Sequence, residues 1–196
     1  ADLPQFSQNL THVGGQPKIS TIIADRMGVE KPDYPFLGAN VPQLTIVEFA
    51  DFECPFSRQE AATVRRLAAK YAGKVKFIYR DYPLTTIHPN AYQAALAGEC
   101  AQEQGKFWQL HDKLYLQADS LTIPSMMRAA QEAGLDPRQF ERCITDARYK
   151  GKIDANIADA AALGVPGTPT FFLNGQKIEG AIPEEVFDQI IAGFVR

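Results

Sequence analysis

The sequence predicts an α/β fold with an all-helical insertion, and three observations support that prediction. Residues 44–50 are rich in β-branched and aromatic side chains and are typical of a buried strand, whereas the apolar side chains of residues 55–71 recur at helical spacing. From about residue 89 to residue 163 the periodic signals are all helical. Strand character returns at residues 170–173, so the helical stretch interrupts a strand-containing unit.

Turn and capping residues predict the remaining elements. Residues 74–79 alternate in the way that is typical of a second strand. Asn174-Gly175 is a strong hairpin signal that leads into a strand at 176–179. Pro183, followed by two glutamates, predicts the start of a last amphipathic helix.

The first 36 residues are polar and differ from the rest of the chain. Only residues 19–26 carry a pattern that is typical of a short helix. We therefore interpret residues 1–36 as an N-terminal extension. It could pack on the body, project from it or mediate formation of a homo-oligomer, and its pattern does not choose among these.

Length and composition predict one compact unit that binds neither nucleic acid nor an anionic membrane. The 196 residues are 45% hydrophobic, enough for a substantial core, and the formal net charge is -3. No block of lysines and arginines supplies a phosphate-binding footprint, and no run approaches the roughly 18 apolar residues needed to cross a bilayer. The N-terminus carries no signal-peptide pattern, so an exported form would already have lost it.

The histidines predict neither a metal site nor a cofactor site. His12, His88 and His111 are scattered and share no ligand spacing with the three cysteines. His111 lies on an apolar stripe and is interpreted as a core or boundary residue. His88 either lines a groove near the reactive residues or serves the entry of the next helix.

The tetrapeptide Cys54-Pro55-Phe56-Ser57 lies where the first strand should end and a helix begin. Unpaired amide N–H groups and the positive end of the helix dipole favour an anion there, and Pro55 has no N–H to leave unpaired. Cys54 is therefore predicted to be a reactive thiolate; the alternative is a small buried apolar residue.

Glu48 interrupts an otherwise apolar strand six residues before Cys54. Burying a carboxyl group is costly, so we interpret Glu48 as a proton acceptor beneath the start of the helix. The alternative is that Glu48 points to water from an exposed face of the strand.

Residues 46–56 (IVEFADFECPF) resemble the active-site entry of the DsbA-like thiol-disulfide oxidoreductases, and further matches follow in order. They are 77–84 (FIYRDYPL), 88–91 (HPNA), 103–108 (EQGKFW) and 164–172 (GVPGTPTFF). The resemblance spans roughly residues 37–191 and implies a thioredoxin-like fold, a central mixed sheet flanked by helices. It also implies that Cys54 is the nucleophile, that Ser57 occupies the position of the resolving cysteine, and that Pro169 is a cis-proline facing the site.

The resemblance gives the segments of the chain their roles. The predicted organisation is an extension (1–36), the first part of a thioredoxin domain with the active site (37–88), the helical insertion (89–163) and the second part of the thioredoxin domain with its cis-proline loop, hairpin and last helix (164–196).

Pro169 is also informative on physical grounds. A proline that opens an apolar run cannot donate a ladder hydrogen bond and must lie at the start of the strand. The backbone of Thr168 is then free to pair with an extended peptide, so Thr168, Pro169, Pro55 and Phe56 are the predicted substrate-binding residues. The alternative is an ordinary loop with a trans bond.

Ser57 changes what such a site can do. Serine cannot act as a resolving thiol, so a mixed disulfide on Cys54 would persist until an outside thiol attacked it. We favour the hypothesis that a natural cysteine was replaced to trap such intermediates, because every other motif fits a dithiol enzyme. The alternatives are a naturally monothiol, glutathione-dependent enzyme on the same fold, and a non-catalytic peptide-binding or chaperone module.

Cys100 and Cys143 both lie in the predicted helical insertion. Some members of the family carry a second, structural disulfide, and pairing these two residues would close a loop worth roughly 4 kcal/mol in the chain-entropy model. The alternative is two buried free thiols that never meet.

The resemblance also implies where the protein acts and with what. It implies a periplasmic or otherwise exported protein of the bacterial cell envelope that acts on cysteine-containing protein substrates. It further implies a redox partner, either a membrane oxidase that re-forms a disulfide or a reductant that keeps thiols reduced.

Overall fold

The computed structural model describes residues 18–23 and 26–195; most of the predicted extension, with His12, lies outside the described residues. The strands are β1 Lys18–Ile23, β2 Phe36–Gly38, β3 Leu44–Ala50, β4 Val75–Asp81, β5 Thr170–Leu173 and β6 Gln176–Glu179. The helices are α1 Arg26–Val29, α2 Pro55–Lys70, α3 Ala91–Glu103, α4 Phe107–Leu116, α5 Ile123–Glu132, α6 Pro137–Thr145, α7 Lys150–Ala162 and α8 Glu184–Phe194, with a short 3-10 turn at Ala118–Ser120.

The described strands form a six-stranded mixed sheet in the order β1-β6-β5-β3-β4-β2. Strands β3 and β4 are parallel, and the other neighbouring pairs are antiparallel. All seven residues of β3 are buried, which explains why residues 44–50 form a nearly continuous apolar run. The predicted α/β fold with a central mixed sheet is confirmed.

The predicted helix at residues 19–26 is wrong. Residues 18–23 form strand β1, which pairs antiparallel with β6 through Lys18 with Glu179 and Ile19 with Ile178. The segment KISTII contains four β-branched residues, which favour a strand where a neighbouring sheet edge supplies backbone partners. This part of the predicted extension therefore adds a strand to the sheet.

The helical insertion lies between β4 and β5 and consists of α3 to α7. Its core is apolar and includes Phe107, Leu110, Leu114 and Phe140, with His111 buried among aromatic rings, so the interpretation of His111 as a core residue is confirmed. The core also contains a disulfide between Cys100 on α3 and Cys143 on α6, whose Cα atoms are 5.8 Å apart. The pairing suggested by the resemblance is confirmed.

Helix caps in the insertion follow the residues that predict them. The carboxylate of Asp136 accepts a hydrogen bond from the backbone N–H of Gln139 at 2.7 Å, and Pro137 follows at the first helical position. Helix α5 begins with a reciprocal capping pair between Thr122 and Ser125.

The two parallel strands place the candidate site. Strands β3 and β4 run side by side from Leu44 opposite Val75 to Ala50 opposite Asp81. Their carboxyl ends therefore lie at the same edge of the sheet, and the loops that follow them, residues 51–54 and 82–90, leave that edge together. Helix α2 begins directly after the first of these loops.

Candidate active site

Cys54 is the N-cap residue of α2, as the sequence predicts. Its backbone N–H donates to the carbonyl of Asp51 at 3.1 Å, which closes a tight turn, and its own carbonyl accepts from the N–H of Arg58 at 3.0 Å, which begins the helix. Pro55 occupies the start of the helix, where a missing N–H costs nothing. Cys54 therefore lies at the end of α2 where backbone amides are unpaired and the helix dipole is positive.

The sulfur of Cys54 faces the loop that precedes β5. Its Sγ donates to the carbonyl oxygen of Thr168 at 3.2 Å, a contact between residues 114 positions apart. The Thr168–Pro169 peptide bond is cis. The structure thus brings together three predicted site residues, Cys54, Thr168 and Pro169, although Thr168 follows Cys54 by 114 positions in the sequence.

Ser57 lies inside the first turn of α2 and is fully buried. Its Oγ accepts a long hydrogen bond, 3.4 Å, from the backbone N–H of Asp51. The Ser57 side chain is therefore shielded from solvent, and this hydrogen bond joins it to the turn that carries Cys54.

Glu48 is buried, with only 4% of its surface exposed, so the alternative of a solvent-facing carboxyl group is excluded. Burial, reinforced by the negative charge of Glu60, raises the pKa of Glu48 to about 8. Glu48 therefore holds a proton at neutral pH and can release it near physiological pH.

Glu60, on α2, is a second buried carboxyl group that the sequence interpretation missed. Its Oε1 accepts from the backbone N–H of Ile182 at 3.1 Å, while Oε2 is buried without a hydrogen-bond partner among the described residues. Burial raises the pKa of Glu60 to about 7, although the Ile182 N–H opposes that shift. The sequence around Glu60, with alanines and a threonine after it, gives only a weak signal of a buried acid, because glutamates on helices are commonly exposed.

Asp51 is the most highly connected residue of the site, and the sequence interpretation missed it as well. Its buried carboxylate accepts from the backbone N–H groups of Glu53 and Leu84, both at 2.8 Å, and contacts Nδ1 of His88 at 2.8 Å. A polar residue directly after a buried parallel strand is the signal that could have identified it. His88 lies beside the site, as one of its two interpretations predicts.

Two large apolar side chains on the segments that form the site are exposed. Phe56, between Cys54 and Ser57, is 59% exposed, and Ile87, next to His88 on the neighbouring loop, is 67% exposed. Large apolar side chains at this exposure are suited to contacts with another chain.

Among the described residues, no group of three or more histidine, cysteine, aspartate or glutamate side chains could hold a metal ion.

The comparisons with known proteins agree with this geometry. The family model described as Thioredoxin matches residues 30–192, which is most of the chain. The chain belongs to the thioredoxin family. The candidate site of this thioredoxin-family chain has a cysteine at the start of a helix, opposite the loop that contains the cis-proline.

Solved structures of similar thioredoxin-family proteins extend the comparison. A thioredoxin-like oxidoreductase from Silicibacter pomeroyi is 28% identical, with a TM-score of 0.75 over 86% of this chain and 96% of that one. A periplasmic thioredoxin-like protein from Salmonella enterica serovar Typhimurium is 26% identical, with a TM-score of 0.71 over 86% and 94% of the two chains. The thiol-disulfide exchange protein alpha-DsbA2 from Wolbachia pipientis, 20% identical with a TM-score of 0.77 over 85% and 90%, shares the fold.

Curated relatives contain a similar segment within longer chains. A Na(+)/H(+) antiporter NhaA 3 from Salinispora tropica is 40% identical over 159 residues, and another NhaA antiporter, from Mycolicibacterium gilvum, is 34% identical over 139 residues. The matches cover 81% and 70% of this thioredoxin-family chain but 24% and 22% of those proteins, so the chain spans about a quarter of their length. Within residues 18–23 and 26–195, no helix has the length and apolar character that a bilayer crossing requires.

Proposed function

We propose that the protein is a thiol-disulfide oxidoreductase that exchanges disulfides with cysteine-containing, exported proteins through Cys54. The observation that carries the proposal is the contact of its Sγ with the Thr168 carbonyl at 3.2 Å, at the start of α2. The other two cysteines are bonded to each other inside the insertion, which leaves Cys54 as the sulfur available for exchange.

The first step forms a bond between Cys54 and the substrate. The thiolate of Cys54 attacks one sulfur of a substrate disulfide, a new S–S bond forms, and the second substrate sulfur leaves as a thiolate. The thiol form of Cys54 donates its S–H to the Thr168 carbonyl. Once Cys54 has lost that hydrogen, the carbonyl oxygen is free to accept a hydrogen bond from a backbone N–H of the substrate. Pro55 and Phe56 would flank the same substrate segment.

Ser57 makes completion of the cycle depend on another molecule. An outside thiolate must attack the mixed disulfide and release the substrate thiol, and a second one then frees Cys54, so that two outside thiols become one disulfide. Our hypothesis remains that Ser57 replaces a natural cysteine; a naturally monothiol, glutathione-dependent enzyme is the second candidate, and Ser57 is the observation that favours it. A cysteine or serine codon in the genomic sequence separates the two.

Glu48 and Glu60 would handle the protons of the exchange. Carboxyl groups with pKa values of about 8 and about 7 can give or take a proton near neutral pH, which a general acid or base requires. Because Glu48 is protonated at neutral pH, it would first donate its proton and would take the proton-acceptor role predicted from the sequence afterwards, and Glu60 would join it.

Two observations support export. Disulfides persist mainly in oxidising compartments, and Cys100–Cys143 is one. One similar solved structure is described as periplasmic. The redox partner would then be a membrane oxidase or an envelope reductant.

The test uses a peptide with an internal disulfide and no other thiol. Without glutathione, the freed peptide thiol can only return to the mixed disulfide and re-form the peptide's own disulfide, so we expect an adduct on Cys54 that acid quenching traps and no release of reduced peptide. Reduced peptide should appear only when glutathione is added. Ser57→Cys should release reduced peptide without glutathione, since its new thiol attacks the mixed disulfide. Release of reduced peptide by the Ser57 protein alone, or any exchange by Cys54→Ser, would contradict the proposal.

A further inference from the structure

The turn that carries Cys54 is tied to the loop after β4 by one buried carboxylate. Asp51 accepts from Glu53 within the turn, and from Leu84 and His88 on residues 82–90. The Asp51 side chain is fully buried, whereas 16% of the His88 side chain is exposed. His88 therefore lies at the rim of the site and joins the two loops from the outside.

The backbone of Asp51 connects this carboxylate to both positions of the reactive motif. Its carbonyl accepts the N–H of Cys54, and its N–H donates to Ser57 Oγ. A shift of Asp51 would therefore move the N-cap of α2 and position 57 together. The contact between Cys54 Sγ and the Thr168 carbonyl depends on the place of that N-cap.

His88 has a backbone contact in addition to its bond with Asp51. Its backbone N–H donates to the carbonyl of Leu84 at 2.9 Å, which forms a compact turn. Nearby, the carboxylate of Glu53 accepts from both the backbone N–H, at 2.6 Å, and the side-chain amide, at 2.9 Å, of Asn90. The imidazole therefore belongs to a loop that Leu84 and Glu53 also connect to the Cys54 turn.

We propose that Asp51 and His88 form a positioning pair, in which the Nδ1–H of His88 donates to the Asp51 carboxylate and holds the Cys54 turn against the Thr168 loop. The inference rests on the proposed function, because it assigns these residues to the reactivity of Cys54. Neither residue touches the reacting sulfur atoms. A buried carboxylate that loses one of its three donors is under-solvated, and the turn would shift to regain one.

The experiment measures a single reaction of Cys54 with 2,2′-dithiodipyridine, below the unfolding temperature of every variant. The Cys54 thiolate attacks one sulfur of the reagent, a mixed disulfide forms, and thiopyridone leaves. We expect His88→Leu to react about tenfold more slowly, the effect of one hydrogen bond to a charged group expressed as a rate. His88→Asn should recover most of that rate, because its side-chain N–H group can take the place of Nδ1–H.

A remote variant separates positioning from general destabilisation. Asp136→Ala removes the cap of α6 in the insertion and should lower the melting temperature while leaving the Cys54 rate unchanged. If His88→Leu does not fold, Asp51→Asn carries the test, since it keeps the side-chain shape but removes one acceptor oxygen, and it should also react more slowly.

The outcomes are distinct. A His88→Leu protein that reacts at the parental rate, or a His88→Asn protein as slow as His88→Leu, overturns the positioning pair; if Asp51→Asn carries the test, the parental rate in that variant does so. Failure of the parental protein itself to react at Cys54 overturns the proposed function instead.

Discussion

The two cysteine sites of this chain are equally buried, and yet only one is suited to exchange. Cys54, Cys100 and Cys143 expose 4%, 1% and 1% of their surfaces, so burial does not distinguish them. Cys54 lies at a helix start, faces a carbonyl oxygen and has Asp51 three residues before it. The bonded pair lies within α3 and α6 among apolar side chains. Under the proposed function, the helix start and the polar contacts of Cys54 are what distinguish it from the structural pair.

The largest effect should come from removing the structural bond. Replacing both Cys100 and Cys143 by alanine should lower the free energy of unfolding by about 4 kcal/mol, because the bond closes a loop across 43 positions. The Cys54 rate should stay unchanged in the folded state. Urea unfolding and the dithiodipyridine reaction measure the two quantities, and a large loss of Cys54 reactivity would break the separation of the two sites.

A second prediction concerns the buried acid on the exchange side. Since the folded-state pKa of Glu48 is about 8 and its ordinary value is 4.5, the folded protein binds a proton that the unfolded chain releases. This contribution to stability is complete below about pH 4.5 and is lost as the pH rises through about 8. Over the range from pH 5 to pH 9, Glu48→Gln should remove about 4 kcal/mol of that decline.

Urea unfolding at several pH values between 5 and 9 measures this slope. Glu141→Gln, on an exposed position of α6, is the matched control and should leave the slope as it is. An unchanged slope in Glu48→Gln would mean that the carboxyl group does not hold its proton in the folded state.

The smallest effect on stability is expected at Phe56. Because its side chain is 59% exposed, Phe56→Ala should change the free energy of unfolding by less than about 0.5 kcal/mol. It should slow exchange with a peptide disulfide several-fold and leave the reaction with dithiodipyridine unchanged. Val41→Ala is the control, because Val41 is 90% exposed and precedes Leu44, at the end of β3 that lies away from the site. Equal rates for Phe56→Ala and the parental protein with the peptide would remove Phe56 from the substrate surface.

Much of the fold could be predicted because its signals are local. The bounds of β3 and β5 agree with the predicted residues, and α2 begins at Pro55 as expected. The prediction of a helix at 19–26 failed because the conformation of this segment depends on β6, which is more than 150 residues away. Local propensity cannot reveal an edge that distant residues supply.

The residues of the candidate site also fall into two groups, those that a local motif identifies and those that depend on distant contacts. Cys54, Ser57 and Glu48 are identified by their places in a strand-to-helix motif. The contacts of Asp51 with Leu84 and His88 span 33 and 37 positions, and the bond of Glu60 to Ile182 spans 122. Such partners are set by how the loops meet in space, which one sequence does not display.

Under the proposed function, Cys54 exchanges disulfides while the Cys100–Cys143 bond stays closed. Mass-spectrometric mapping, after reaction with a peptide disulfide and digestion in acid without reductant, tests it most directly. We expect peptide attached to Cys54 alone, with the Cys100–Cys143 bond intact. Peptide attached to Cys100 or Cys143, or the absence of any adduct on Cys54, would contradict it.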